Sequence, residues 1–542
     1  MATTTDTPSD LPRRLSGVLP KGHQFNIFHL STPPTKCPPL YAPPPNERPD
    51  RTYCEKHFLT VSVNDDQTQP DAKGPRRVLV LGIEVYIYTT AYSTTIFVSK
   101  ADSTGYLHLL NLPRGTPSPI REICAAFLRF LTEKRRREGV QLIVSLFARA
   151  QAQYLFPGSV DNKDKHVLDD RGLVKWWCRV LDPLLLAEDG VRGYIVVPGL
   201  DAYETRAYVP RGDAASGRWT QDHPLERISH YAREFDWVPP RCLIPQFPDD
   251  PKSRFRDELD EEAARSGVFR DTGGWKSVKT LDMFWEMMAY RQECSSGRMT
   301  GFIWLVFNDE EAAEKSQPGS HANAVLETPR ANRTINIAPT TTPRKLFAKE
   351  TENKVLDEDA KKKKSRLELQ KKKLKSAKKR KLRGPIIPRV PKIKKAQRNY
   401  LVERVPPSSA YYSWTPAGRG ERIYSEDNYK RIIELLLHSE FATLDKAAAS
   451  TRRWLGEASM GASWGYSVTG TREPSSQEEE VPVKRKREES VSASTPEGKP
   501  QGVNVLSAGL VRKKPKVDGE QQTGEKAVNV LGSNLVRKKR EV

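Results

Sequence analysis

VLVLGIEVYIY at 78–88 and TTIFVS at 94–99 decide the fold. Both runs are dense in β-branched and aromatic residues, and the short gap between them makes a β-hairpin the natural reading. Further along, Ser118 followed by Pro119 supplies an N-cap and a proline at the first helical position. Ile120, Ile123, Cys124, Phe127 and Leu131 follow at helical spacing. The run 142–147 predicts a buried strand, 194–197 a short one, and Leu173, Trp177, Val180 and Leu181 form one helical face between them. Asp250 then Pro251 repeats the cap-plus-proline start, 281–294 predicts a further helix, and the apolar run 301–307 another strand. This mixed order predicts an α/β fold in which a central mixed β-sheet is wrapped by helices.

The chain has 542 residues, of which 37% are apolar and 8% aromatic, lean for that much packed core. All ten Trp lie between Trp176 and Trp304 or between Trp414 and Trp464. The stretch between these two groups is polar, then Lys-blocked (KKKKSRLELQKKKLKSAKKRKLR), then proline-punctuated. Within it, residues 361–400 hold 19 Lys and Arg against one acid, Glu368, which accounts for +18 of the formal net charge of +21. Five regions follow: an irregular Pro-rich lead-in over 1–50, a first domain segment over 51–310, a disordered Lys-rich insert over 311–398, C-terminal helices over 399–460 that complete the domain, and a disordered tail over 461–542. The helices are expected after Ser425 and Thr443, too apolar to stand alone. The tail carries a duplicated motif, VNVLSAGLVRKKPK at 503–516 and VNVLGSNLVRKKRE at 528–541.

Six singly scattered cysteines without a C-x-x-C pair argue against a zinc ribbon or a disulfide framework. The first ten residues lack a signal-peptide design and no run approaches a membrane span, so neither export nor membrane insertion is expected. Basic clusters at 484–487, 512–516 and 537–540 suit nuclear import receptors or acidic partners, and a solvated charge run is their plain alternative. The Lys-rich insert could touch nucleic acid weakly and without sequence preference.

Among candidate site residues, Asp249 and Asp250 are adjacent carboxylates that could accept a proton from an amine or hold it in place. On the residues alone, N-capping is the stronger explanation of Asp250. Lys252 falls in the first helical turn, where the helix dipole disfavours a cation. Trp176 and Trp177 point about 100° apart on a helix, so one is free to line a cleft, with one Trp in the core and one half-buried as the plain alternative. Asp102 sits in a turn-like KADSTG run, and Arg114 with the Ser118 helix start offers a cation and free N–H groups to a phosphate. No Walker loop, G-x-G-x-x-G, H-E-x-x-H or G-x-S-x-G occurs.

Together, FVSKADSTGY at 97–106, FARAQAQYLFPGS at 147–159, KHVLDDRGLVKWW at 165–177, IPQFPDDPKSRF at 244–255 and FWEMMAYRQECSSG at 284–297 resemble, in order, the fungal-specific, chaperone-dependent histone H3 lysine acetyltransferases, whose fold is similar to the CBP-type enzymes. The resemblance implies transfer of acetyl from acetyl-CoA, without a metal, to newly synthesised histone H3 presented as H3–H4. It implies target lysines in the tail and in the core where DNA enters and leaves the nucleosome, and a nuclear role in nucleosome assembly and genome stability. It also implies histone chaperones of the nucleosome-assembly-protein-like and anti-silencing-function types as partners.

By matching blocks, Ala101, Asp102 and Ser103 fall at cofactor contacts, and Arg114, Gly115, Thr116, Pro117 and Ser118 at the phosphate-binding turn. Phe147, Gln151, His166, Val167, Leu168 and Trp176 complete the cofactor set. Trp177 and Tyr154 fall near the reactive lysine, Asp250 at the proton acceptor with Asp249 beside it, and Lys252 at a self-acetylated lysine. Two departures stand out: a short turn between Leu128 and Leu142 in place of a long loop, and Gln151 in place of a small residue. A non-catalytic histone-binding adaptor with the same fold is the rival reading.

Overall fold

The structure is a computed structural model that describes residues 10–65, 76–212, 217–235, 237–266, 274–291, 298–307, 402 and 404–473. The Lys-rich block, the three C-terminal basic clusters, the duplicated motif and Cys294 lie outside the described residues.

Eleven strands among the described residues form one sheet. They are β1 (Gln24–Ser31), β2 (Thr35–Cys37), β3 (Thr52–Asn64), β4 (Arg77–Thr89), β5 (Ser93–Ser103), β6 (Gln141–Ala148), β7 (Arg192–Val196), β8 (Trp219–Thr220), β9 (Gly301–Phe307), β10 (Arg422–Ile423) and β11 (Tyr466–Thr469). The order is β10-β1-β3-β4-β5-β6-β9-β7-β8, with β11 also on β1 and β2 also on β3. The expected hairpin is β4–β5, antiparallel, and β4 is apolar on both faces because both are covered. The β5 and β6 strands are parallel, so the chain must cross over between them. It does so through the longest helices' first member after α1 (Leu11–Val18), namely α2 (Pro119–Arg135). The other long helices are α3 (Asp170–Leu186), α4 (Pro251–Ser266), α5 (Leu281–Ala289), α6 (Glu426–Leu437) and α7 (Leu444–Ala458). No helix among the described residues is long and apolar enough to cross a membrane.

Segments on either side of the Lys-rich stretch share one core. Thr451 in α7 accepts a hydrogen bond from the Leu79 N–H at 3.0 Å, and Trp454 packs edge-on against Phe58 with ring centroids 5.8 Å apart. The β10 and β11 strands cover the edge of β1 opposite β3. A buried chain of polar groups ties the same parts together. His29 and His57 share a hydrogen bond of 2.9 Å, His57 meets Glu55, Glu55 meets Arg135, and Arg135 donates to the Gly418 carbonyl at 2.8 Å.

Two expectations are corrected. The irregular lead-in over 1–50 contains α1, β1 and β2, because Leu11, Leu15 and Leu19 pack fully inward and seven of the eight β1 residues are buried. The tail does not begin at 461: β11 pairs residues 466–469 with 24–27, and Arg472 bridges to Pro20.

Candidate functional site

The chain enters α4 through Asp249, whose φ of +59° lies in the left-handed region that Asp tolerates better than most residues. That turn leaves Asp250 at the helix start, fully buried. Its Oδ1 accepts the Lys252 N–H at 3.0 Å, the capping bond expected of it, and its carbonyl accepts the Arg254 N–H. Its Oδ2 accepts from the Lys252 ammonium, so this oxygen is engaged and faces no open cleft. Lys252 is 1% exposed, and its Nζ lies 4.8 Å from the Phe247 ring centroid and 5.4 Å from that of Phe302. Burial pushes the Asp250 carboxyl up and the Lys252 ammonium down, each opposed by the partner's charge. Both shifts favour moving a proton from nitrogen to oxygen.

The aromatic floor under this pair links it to Phe147. Phe247 stacks face to face on Phe97 in β5 at 4.2 Å, Phe97 lies 6.3 Å from Phe147, and Phe147 is the register partner of Phe302.

Asp249 faces the other way, with its carboxylate 3.5 Å from the Lys100 ammonium, which is 3.4 Å from Glu84. Glu84 and Lys100 are cross-strand partners beside an irregularity in the β4–β5 register, a feature that re-aims side chains. Tyr429, in α6 beyond the Lys-rich stretch, donates its hydroxyl to Glu84 at 3.1 Å. Tyr154 is half-buried on the same rim. Burial raises its phenol pKa, Asp249 adds to the rise, and Arg149 and Lys100 oppose it.

The Asp102 side chain holds the neighbouring loop in place. Its Oδ2 accepts the N–H groups of Tyr154, Leu155 and Phe156 at 2.7, 2.9 and 3.3 Å. Its Oδ1 accepts from the Ser103 N–H at 2.8 Å and the Lys165 ammonium at 2.9 Å. This carboxylate is consumed in shaping the loop that carries Tyr154, Gln151 and His166, and has little left to offer a ligand. Ala101 and Ser103 on either side are half-buried. Gln151, His166 and Val167 are exposed and Leu168 is half-buried.

The α3 helix is pinned at its start by Asp169, which caps Gly172 at 2.7 Å. Asp170 beside it accepts from the N–H groups of Ala150 at 2.8 Å and Met299 at 3.0 Å, fixing α3 to the ends of β6 and β9. Trp177 is buried in the main core and Trp176 half-buried, their rings edge to face at 4.9 Å. Trp176 packs against the same core from its edge, so the pair is one core Trp and one half-buried Trp. In the Arg114–Ser118 turn, Gly115 has φ +83° and Thr116 closes on the Pro113 carbonyl through both its N–H and its hydroxyl. Ser118 starts α2 without using its hydroxyl as a cap, and Arg114 is exposed.

The structure thus gathers Asp249, Asp250, Lys252 and Tyr154 with β5 residues 100–103. The turn at 114–118 lies at the head of α2. Sequence reasoning passed over Glu84, Lys100, Arg149, Asp170, Phe247 and Phe302. None of them left a local signal: even Glu84 and Lys100 meet only through the register shift between Glu84 and Val85, without which Glu84 would face Ser99.

The family model described as the histone acetyltransferase KAT11-type domain matches residues 11–141 and 135–457. The chain is 38% identical to histone acetyltransferase rtt109 of Aspergillus flavus, over 95% of this chain and 90% of that one. It is 30% identical to histone acetyltransferase rtt109 of Schizosaccharomyces pombe, over 54% of this chain and 71% of that one. Among solved structures it resembles Rtt109 from Aspergillus fumigatus, with a TM-score of 0.61 and 36% identity, covering 86% of this chain and all of that one.

Proposed function

The chain belongs to the KAT11-type histone acetyltransferases, and from that premise we propose that it acetylates lysines of newly synthesised histone H3, presented as H3–H4 by histone chaperones. It is a histone lysine acetyltransferase with acetyl-CoA as co-substrate. The proposed targets are tail lysines and the core lysine where DNA enters and leaves the nucleosome. The setting is nuclear, in nucleosome assembly and DNA repair, which the basic clusters at 484–487, 512–516 and 537–540 support as import signals.

The observation that carries the reading is the buried Asp250–Lys252 pair beside the Asp249–Tyr154 rim. Acetyl-CoA supplies the thioester. A substrate lysine, with an ordinary pKa near ~10.4, must lose a proton before its amine can attack that carbonyl. The C–N bond then forms as the C–S bond breaks, and the sulfur leaves as the CoA thiolate, which takes up the amine's remaining surplus proton to give the free thiol. Asp250 is suited to take the proton because burial raises its basicity. In this structure Lys252 occupies its Oδ2. Self-acetylation of Lys252 removes that cation and hands the oxygen to the incoming amine. Asp249 and the Tyr154 hydroxyl orient the lysine at the rim. The exposed Arg114 and the free N–H groups at the head of α2 suit the phosphates of the co-substrate. The half-buried Trp176 suits its apolar arm.

The test is an incubation of the full chain with acetyl-CoA, H3–H4 and a histone chaperone of each type, with acetylated lysines mapped by mass spectrometry. Chaperone-dependent acetylation of H3 is expected. A folded sample that binds histones without transferring acetyl would leave the non-catalytic adaptor instead.

A further inference from the structure

Beside Lys175 and Arg179 of α3, two cavities share the walls Ala207, Val209, Pro210 and Arg211 and so form one groove. Lys175 and Arg179 line one part, and Arg206 and Tyr203 the other. No residue lining either part is acidic.

Four cations, Lys175, Arg179, Arg206 and Arg211, therefore crowd one concavity, and none of them makes an ion pair within the described residues. Three nearby acids among the described residues are engaged elsewhere. Asp201 and Glu204 cap each other's N–H groups, and Asp182 accepts from the Trp219 indole at 3.2 Å. Like charges gathered without counter-ions repel one another, and an anionic ligand would relieve that repulsion. Two aromatics accompany the charges. The Lys175 ammonium lies 5.6 Å from the Tyr208 ring centroid, while Tyr203 is 86% exposed, an unusual position for so large a ring.

We propose that this groove binds single-stranded nucleic acid. Three of the four cations are arginines, whose planar forks match phosphate geometry. A protruding tyrosine beside a cationic track is the arrangement on which unpaired bases stack. The concavity admits a single strand, whereas a duplex would present a convex surface to it. A cationic histone tail would be repelled from it.

The experiment uses the full chain and two anions, a twenty-nucleotide oligothymidine and a polyglutamate peptide of matched charge. Lysines are labelled with an amine-reactive ester and read by mass spectrometry. The expected result is that oligothymidine lowers labelling of Lys175 about fivefold or more, and that Tyr203→Ala weakens the protection. Arg206→Ala/Arg211→Ala should lower the slope of log affinity against log salt by about 1.4, the loss of two phosphate contacts on a single strand. Circular dichroism and histone acetylation should match the parent, since none of these residues belongs to the acetyl-transfer site. Labelling of Lys175 that oligothymidine leaves unchanged while lysines 361–400 are protected would overturn the proposal. So would protection by polyglutamate alone, which would make the groove a seat for an acidic protein.

Discussion

Lys252 and Asp250 form a closed pair, ammonium against carboxylate two residues apart, with neither side chain reaching solvent. One oxygen of Asp250 caps α4 and the other neutralises the lysine. Substitutions at this residue separate its roles. Asp250→Asn retains an acceptor for the Lys252 N–H, because Asn caps nearly as well as Asp, but it takes up no proton. We expect acetyl transfer to fall by about 10²-fold or more with the fold kept. Asp250→Ala also strands a buried cation, and should cost about 3–5 kcal/mol of stability. Saturation kinetics and urea unfolding measure the two effects. Wild-type turnover in Asp250→Asn would remove this carboxylate from the chemistry.

Asp102 distinguishes a ligand contact from a scaffold. Its carboxylate holds three consecutive N–H groups at 154–156 and the buried Lys165 ammonium. Removing it leaves those donors unsatisfied, so Asp102→Ala should lose about 2–4 kcal/mol in urea unfolding. With the Tyr154 loop released, kcat should fall more than acetyl-CoA affinity. Unaltered stability with weakened acetyl-CoA binding would instead support a direct contact with the co-substrate.

Acid should loosen the core at its histidines. Burial, with the neighbouring His57 and Arg135 charges, holds the His29 pKa well below its ordinary value, and burial lowers that of His57 against the opposing pull of Glu55. The unfolded chain binds protons at these residues near ~6.5 and the folded chain does not. Their contribution to stability is therefore complete above that pH and is lost as pH falls below it, by up to about 1.4 kcal/mol per pH unit for each histidine. Urea midpoints from pH 7.5 to 5.5 should show this decline, and His29→Leu should flatten it. A midpoint independent of pH over that range would mean that the histidines take up protons inside the fold.

The legible parts of the molecule are those whose signal is local. The β4–β5 hairpin, the Ser118–Pro119 and Asp250–Pro251 helix starts and the β9 run announce themselves because period, cap and proline lie within a few residues. The β10 and β11 strands have two and four residues and exist because β1 needs an edge partner, a demand that arises some 400 residues earlier in the chain. Asp102 reads as a turn residue, and it does accept its neighbour's N–H, but its second oxygen serves a loop 52 to 54 residues away. Trp176 and Trp177 divide between a half-buried place against the core and the core itself, as side chains about 100° apart on one helix can. Which of them takes which place depends on how Asp170 anchors α3 to β6 and β9.

The same long-range demand sets the outcome of two deletions. Removing residues 320–395 takes out nothing that any described contact uses, because β9 ends at Phe307 and the next described residues begin at 402. That variant should melt where the parent does and acetylate Lys252 at a similar rate. Its binding to H3–H4 and chaperones should weaken, since 361–400 carry most of the net charge. Ending the chain at residue 403 is a different matter. It uncovers the outer edge of β1, strips the Leu79 N–H of Thr451 and Glu84 of Tyr429, and takes from Arg135 the Gly418 carbonyl. An unpaired edge beside an opened apolar core favours aggregation, so this variant should be insoluble or should lack a cooperative melt. Thermal unfolding with mass spectrometry of Lys252 compares both deletions, and a truncated chain that melts cooperatively and acetylates itself would show that the first segment folds alone.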